Sequence, residues 1–259
     1  MERMLLRIHV LGPMLLEGSK ALTEDQLHGR QGRVVLAMLA VEHRRAVSPD
    51  EIAEELWPRE MPAAWPGAVK VLVSKVRSVI GRALGDGGHG RANLVAAVQG
   101  GYRFVLPRGT SVDLEVAAAA VHRAETLIAK GELEAGGAEA LTASMIASRP
   151  FLPGADGPWA TMTRDRAGDI RIRALECLAR LWLVKGDAGQ AARDAEAILR
   201  LDPFRESALR LAIEAHVTAG DRPVAAHAYR RSRELLAKEL GIEPSPETEE
   251  IARRLGLPA

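Results

Sequence analysis

Between Pro66 and Leu84 apolar residues recur at Val69, Leu72, Val73, Val76 and Ile80. That i, i+3, i+4 spacing predicts a helix with one face in a core. Pro66 suits its first turn, where a missing N–H costs nothing. The other face reads Lys70, Ser74, Lys75, Arg77, Ser78 and Arg82, with no Asp or Glu from Pro66 to Gly85. Solvated helices commonly mix both signs for i,i+4 pairing. A cationic, hydroxylated, acid-free face suits phosphates and base edges. Taken alone it equally describes a basic surface helix without a ligand.

The flanking pattern places this helix in a series. Met4–Val10 is rich in apolar residues and ends at Gly12-Pro13; Met14–Glu17 follows, then a turn around Gly18-Ser19-Lys20. A short antiparallel sheet is expected here. Gly29-Arg30-Gln31-Gly32-Arg33 leads into the apolar run VVLAMLAVEH, so Arg30 and Arg33 flank a helix start, where backbone N–H groups favour an anion. A solvated basic turn is the equal alternative. Ser48-Pro49-Asp50-Glu51 reads as an N-cap, a first-turn proline and a capping-box partner. Ile52, Leu56 and Trp57 form that helix's apolar face, and Pro58 ends it. Trp57 and Trp65 flank the loop that follows; both read as core residues, with an indole contact to phosphate open to Trp57. After a glycine-rich turn at 85–90, Ala92–Val95 and Gly101–Leu106 read as a hairpin with Gln99-Gly100-Gly101 at its tip. Glycines there let a backbone approach phosphates closely. Arg103 either reaches DNA or is one exposed residue between two core aromatics.

Sheet, three helices and a hairpin make a winged helix-turn-helix, whose third helix enters the major groove. Residues 1–107 are assigned to it. Pro107–Ser111 reads as a polar linker and Asp113 as the cap of a following helix. Residues 112–259 are then helix, short turn, helix throughout. Breaks fall at Lys130-Gly131, Arg149–Pro158, Lys185-Gly186-Asp187, Leu201-Asp202-Pro203, Ala219-Gly220-Asp221 and Gly241–Pro246. Gly186-Asp187 and Gly220-Asp221 lie 34 residues apart, and Ala191-Ala192 with Ala225-Ala226, and Leu175 with Leu209, repeat at that offset. This is the tetratricopeptide period. Residues 113–148 read as a degenerate unit of the same kind, and an irregular helical bundle is the alternative. Stacked helix pairs present surfaces to proteins or to a second copy.

Composition narrows the function classes. Formal net charge over 259 residues is +1, split as +3 over residues 1–106 and −2 over the remainder. The local cluster on the third helix therefore says more than the total. Cys177 is the single cysteine and sits in a helical apolar context, which excludes an internal disulfide and a cysteine-rich zinc site. No apolar run reaches the length of a membrane span, and the N-terminus lacks a secretory pattern, so a soluble cytoplasmic protein is expected. His9, His28, His43, His89, His122, His216 and His227 have no metal spacing, and His216 reads as packed or hydrogen-bonded. No phosphate-binding loop, nucleophile elbow or zinc-protease motif occurs. No enzyme, cofactor or metal is expected, and no acidic phosphorylation pocket precedes the winged helix.

The strings RQGRVVLAMLA, VSPDEIAEELWP, AVKVLVSKVRSVIG and GGYRF resemble the DNA-binding domain of the Streptomyces antibiotic regulatory proteins. The segment AYRRSRELLAKELGIEPSPE resembles their bacterial transcriptional activation domain. The chain's end at Ala259 corresponds to the compact two-domain form of that family. The family usually carries an arginine just before the wing Gly-Tyr, where Ala96-Ala97-Val98-Gln99 stands here, which leaves the wing contact to Arg91 or Arg103. The fold class expected is mainly α with small β elements: a winged helix-turn-helix of the response-regulator output type, then an all-α tetratricopeptide-like activation domain.

The function expected is a transcriptional activator of secondary-metabolite genes. Lys70, Ser74, Lys75 and Ser78 face bases, while Arg30, Arg33, Arg77, Arg82 and Arg103 neutralise phosphates. So few contacts imply weak binding by one copy and tandem occupancy of repeats. The resemblance implies a homodimer on direct repeats in double-stranded promoter DNA and contact with RNA polymerase. The alternative is a protein-interaction scaffold whose winged helix binds protein.

Overall fold

The computed structural model describes residues 6–85 and 94–256. The expected strand start at Met4-Leu5, part of the turn at 85–90, Arg91 and Ala92-Asn93 lie outside the described residues. The chain forms two compact units. One holds residues up to Ala118 together with Ile146–Ala167; the other holds Ala119–Met145 and the chain from Gly168 onward.

In the first unit β1 (Arg7–His9), β2 (Leu15–Glu17) and β3 (Ala21–Leu22) pair antiparallel, as the apolar segments and turns near the N-terminus predict. A fourth strand comes from the segment read as linker. β6 (Ser111–Val112) pairs parallel with β1, giving the order β3-β2-β1-β6. Leu6, Ile8, Leu16 and Val112 are all buried along this sheet. Asp113 opens α4 (Asp113–Ala129), and its carboxylate accepts the N–H groups of Val10 and Leu11 at 2.9 and 3.1 Å. The linker's end is thus locked to the chain leaving β1.

α1 (Gly29–Val41) starts after His28, a left-handed residue with φ 59°. Residues Val34 to Val41 of α1 are all buried, so this helix is the centre of the unit's core. α2 (Pro49–Leu56) starts with the expected capping box: Ser48 Oγ accepts the Glu51 N–H at 3.1 Å, and Glu51 accepts the Ser48 N–H at 2.8 Å. Arg45 bridges Glu42 and Glu51 beside it. α3 (Trp65–Leu84) and the hairpin β4 (Val95–Val98) and β5 (Gly101–Phe104) complete a winged helix-turn-helix.

The second unit contains the rest of α4, α5 (Leu133–Ala147, up to Met145), α6 (Pro158–Val184, from Gly168), α7 (Ala188–Leu201), α8 (Glu206–Thr218), α9 (Arg222–Leu240) and α10 (Pro246–Arg254). The 34-residue repeat is visible in its turns. Gly186 and Gly220 have φ of 79° and 87°. Gly186 N–H bonds to Leu183 O and Asp187 N–H to Trp182 O; Gly220 bonds to Val217 and Asp221 to His216 in the same way. The turn after α4 repeats the pattern, with Gly131 bonded to Ile128 and Glu132 to Leu127. This i−3, i−5 pairing closes a helix on a left-handed glycine. Ala191, Ala225, Leu175 and Leu209 are all buried, so the offsets read from sequence mark helix-helix contacts.

Ala124, Ala140, Leu175, Leu178 and Ile198 share one apolar cluster with Cys177. Burial pushes the Cys177 thiol up to about 11, which marks a core residue rather than a nucleophile. His216 Nε2 lies 3.1 Å from Glu196 Oε1, a hydrogen-bonded histidine.

Candidate nucleic-acid interface

The apolar stripe of α3 is fully used. Val69, Leu72, Val73, Val76, Val79, Ile80, Ala83 and Leu84 are buried. Gly85, at φ 73°, ends the helix. Its last carbonyls are taken up by the β2–β3 turn, through Lys20 N–H to Ala83 O at 3.0 Å and Ser19 Oγ to Leu84 O at 3.1 Å. The helix is therefore held at its C-terminal end by the sheet, with the opposite face turned outward.

Lys70, Ser74, Lys75, Ser78 and Arg82 are exposed on that outward face. Lys70, Ser74, Lys75 and Ser78 make no hydrogen bond or ion pair with any described residue. No acid stands anywhere on α3. The face consequently offers two ammonium groups and two hydroxyls free for a ligand, with no carboxylate on the helix to repel an anion.

The arginines behave differently. Arg77 Nε donates to Val95 O at 2.9 Å, and its guanidinium lies 6.0 Å from the Tyr102 ring centroid, so it joins α3 to both wing strands. Arg82 donates to Gln26 O at 2.8 Å. Arg33 pairs with Glu24, and Arg30 lies 3.6 Å from Asp156 with both side chains well exposed. Arg103 is exposed and without a partner among the described residues, opposite Ala96 in the hairpin register. Of the two aromatics read as core on either side of it, Phe104 is buried and Tyr102 only half-buried, because the Tyr102 ring lies under the Arg77 guanidinium.

The wing is pinned at its base. Tyr102 exchanges backbone hydrogen bonds with Val47 at 2.8 and 2.9 Å. Gly101 has φ 147°, and a Cβ there would stand 2.0 Å from Val47 O. Its missing side chain thus serves this close approach to the chain before α2. Gly100, at φ 87°, faces open space and is the glycine available to a ligand.

Two features of the outward face escaped the sequence reading. Val71 is 55% exposed and sits among Gly67, Lys70, Ser74, Lys75 and Ser78 by helical spacing. Arg59, in the loop before α3, is exposed and has no partner among the described residues. The signal for Val71 was present: it lies three residues before Ser74 and four before Lys75. Among the described residues no group of His, Cys, Asp and Glu could hold a metal, and no helix is long and apolar enough to cross a membrane.

The family model described as bacterial transcriptional activator domain matches residues 112–255. The chain belongs to the bacterial transcriptional activator domain family. Among similar proteins, regulatory protein AfsR of Streptomyces coelicolor is 28% identical over 252 residues, which is 96% of this chain and 24% of AfsR. The chain thus spans about a quarter of the length of that relative. Transcriptional regulatory protein MoaR1 of Mycobacterium tuberculosis is 27% identical over 256 residues, covering 93% of this chain and 76% of MoaR1. The resemblance to the Streptomyces antibiotic regulatory proteins, drawn from the quoted strings, agrees with these matches. A solved structure of Mycobacterium tuberculosis EmbR, in complex with a low affinity phosphopeptide, is similar in fold, with a TM-score of 0.83 at 24% identity over 96% of this chain and 64% of that one. In this member of the bacterial transcriptional activator domain family, residues 146–167 of the matched segment belong to the same compact unit as the winged helix-turn-helix.

Proposed function

We propose that this chain is a sequence-specific DNA-binding transcriptional activator without enzymatic activity, acting on promoters of secondary-metabolite genes. The observation that carries the reading is the outward face of α3: Lys70, Ser74, Lys75 and Ser78, all exposed, without partners among the described residues and free of acidic neighbours on the helix. Lysines at the centre of such a helix can donate to guanine O6 and N7, and the serines to either base or phosphate. Arg103 and Arg59 extend the cationic surface to the wing and the preceding loop. Arg30, Arg33 and Arg82 reach phosphates by exchanging weak intramolecular partners for stronger anionic ones. Arg77 keeps its role in seating the wing and has N–H donors left over.

One such module makes few base contacts, so the reading includes two copies on direct repeats and contact with RNA polymerase through the helical half. Residues 1–107 carry the DNA-binding part of this proposal and residues 112–259 the activation part.

The test is an electrophoretic mobility assay on duplexes selected from a random library, against a scrambled duplex, over a range of salt. The expected result is a preferred duplex whose log affinity falls linearly with log salt, with a slope of about −0.9 per phosphate contact. No duplex binding at low salt would replace the activator by a scaffold that uses the same helices to bind protein.

A further inference from the structure

The second unit carries a groove of about 620 Å³ bounded by α7, α8 and α9. Its apolar lining includes Leu199 from α7, Leu209 and Ala212 from α8, and Val224, Ala228 and Leu235 from α9. Val224 is 44% exposed; Leu201, the last residue of α7, and Phe204, in the α7–α8 connection after Pro203 of the groove, are 43% and 39% exposed.

Two guanidinium groups and one carboxylate line it. Arg200 on α7, and His227 and Arg231 on α9, line the groove and are exposed. None of the three makes a hydrogen bond or ion pair with a described residue. Several other arginines of this unit are paired with acids: Arg123 with Glu139, Arg173 with Glu125, Arg205 with Glu176 and Arg233 with Glu243. The one acid in the lining, Glu196, is already taken by His216 at 3.1 Å. The two arginines of the lining outnumber its one acid, although residues 107–259 carry a net charge of −2.

We infer that the α7–α8–α9 groove is a docking site for an acidic amphipathic helix of another protein. An apolar stripe would lie over Leu199, Val224, Ala228 and Leu235, and Asp or Glu residues on its flanks would meet the charges of Arg200 and Arg231, with a ring N–H of His227 as a further donor. Laying the apolar side of a helix into a groove between helices is a recurring mode of recognition. Val224, Ala228 and Arg231 follow one another at i, i+4 and i+7 along α9, so apolar positions and a cation share one side of the helix, which matches such a ligand in register. Duplex DNA fits less well, because its phosphates gain nothing from an aliphatic floor. The inference stands independently of DNA reading by α3.

The probes are three fluorescein-labelled synthetic helices. The first carries Leu at i, i+3, i+4 and i+7 with Glu on both flanks. The second has Lys in place of Glu, and the third has Ser in place of Leu. Fluorescence anisotropy with the full chain should show saturable binding of the first alone. R200E/R231E should weaken it about tenfold and favour the Lys-flanked helix instead. Both positions are exposed, so the double variant should keep the circular dichroism of the parent. Equal binding of the Glu and Lys helices, no binding of any, or insensitivity to R200E/R231E would overturn the assignment. So would displacement by scrambled duplex DNA, or a parent dimer that R200E/R231E converts to monomer.

Discussion

Glu55 Oε2 lies 2.9 Å from the amide nitrogen of Trp159, so a residue of α2 supplies the acceptor at the start of α6, 104 positions later in the chain. The same oxygen accepts the Ala160 N–H at 3.2 Å. Gly157 makes room for it, since a Cβ there would stand 2.1 Å from Glu55 Oε2. A carboxylate at a helix N-terminus answers both the unpaired N–H groups and the local positive potential. Glu42 adds a second tie to the same turn through the Trp159 indole at 3.0 Å. The helix that reads DNA in our proposal follows α2 directly, so the seating of α2 matters to it.

Removing this acceptor should be costly. E55A leaves two N–H groups without their partner and should lower stability by roughly 1–3 kcal/mol. E55Q keeps a carbonyl acceptor and should cost much less. The pH dependence separates them further. Burial raises the Glu55 carboxyl above its ordinary value of 4.5, outweighing the pull of the Ala160 and Trp159 N–H groups. The folded chain therefore binds this proton more readily than the unfolded chain, and its contribution to stability declines as pH rises from 4.5 through the raised value. E55Q lacks that decline. Urea unfolding at pH 4.5 and 7 should show the parent losing stability relative to E55Q at the higher pH; parallel curves would disprove it.

Gly101 and Gly100 offer an internal comparison at the wing. G101A meets Val47 O and should cost roughly 1–3 kcal/mol in unfolding free energy. G100A faces open space and carries only the strain of a left-handed alanine, about 1 kcal/mol. Equal midpoints in thermal unfolding would show that the wing tolerates separation from Val47.

Lys75 and Arg77 lie two positions apart and should fail in different ways. K75A should weaken the preferred duplex by roughly 1–3 kcal/mol while leaving scrambled DNA almost unchanged. R77A breaks the link to Val95 O and the Tyr102 ring, so it should lower stability by about 1–2 kcal/mol and weaken both duplexes alike. Equal losses on both duplexes for K75A would make Lys75 a phosphate contact.

Val71 should read a thymine methyl. It is the one large apolar side chain exposed on α3, and apolar contact with the C5-methyl group is how such a residue adds sequence information. Replacing thymines of the preferred duplex one at a time by uracil removes only the methyl. One position should cost about 0.8 kcal/mol, near fourfold, with the parent and nothing with V71A. If no uracil substitution discriminates between them, Val71 is outside the contact.

A fragment of residues 1–107 should fold poorly. It lacks β6, so β1 presents an unpaired edge, and it lacks Asp113, Trp159 and Ala160, which satisfy Val10, Leu11 and Glu55. A fragment of residues 1–167 contains all of these. Only the longer one should give a cooperative urea transition, and a cooperative transition for 1–107 at the full chain's midpoint would sink this.

Local chemistry made much of this fold legible. Ser48 and Glu51 announce α2 through contacts three residues apart, and Gly186 and Gly220 announce the repeat because each terminates its own helix. The stripe of α3 reads directly as a buried face. What stayed hidden depends on distant partners. Ser111-Val112 is too short to signal a strand and becomes one only because Arg7 and Ile8 lie beside it. Nothing near Glu55 in sequence hints that it caps a helix 104 residues away. Arg77 resembles the other cations of α3 until Val95 and Tyr102 come within reach. The exposure of Lys70, Ser74, Lys75 and Ser78 was legible because it follows from the helical period alone.

The ties of Asp113 and Glu55 also impose an order in time. Synthesis at 5–20 residues per second delivers Ala160 roughly 10–30 s after initiation. Until then β1 has no parallel neighbour or only a newly made one, and the α2 carboxylate waits without its donors. The part of the chain that meets DNA in our proposal is therefore translated early and finished late, so a nascent chain stalled before Ala160 should not compete with the completed protein for its sites.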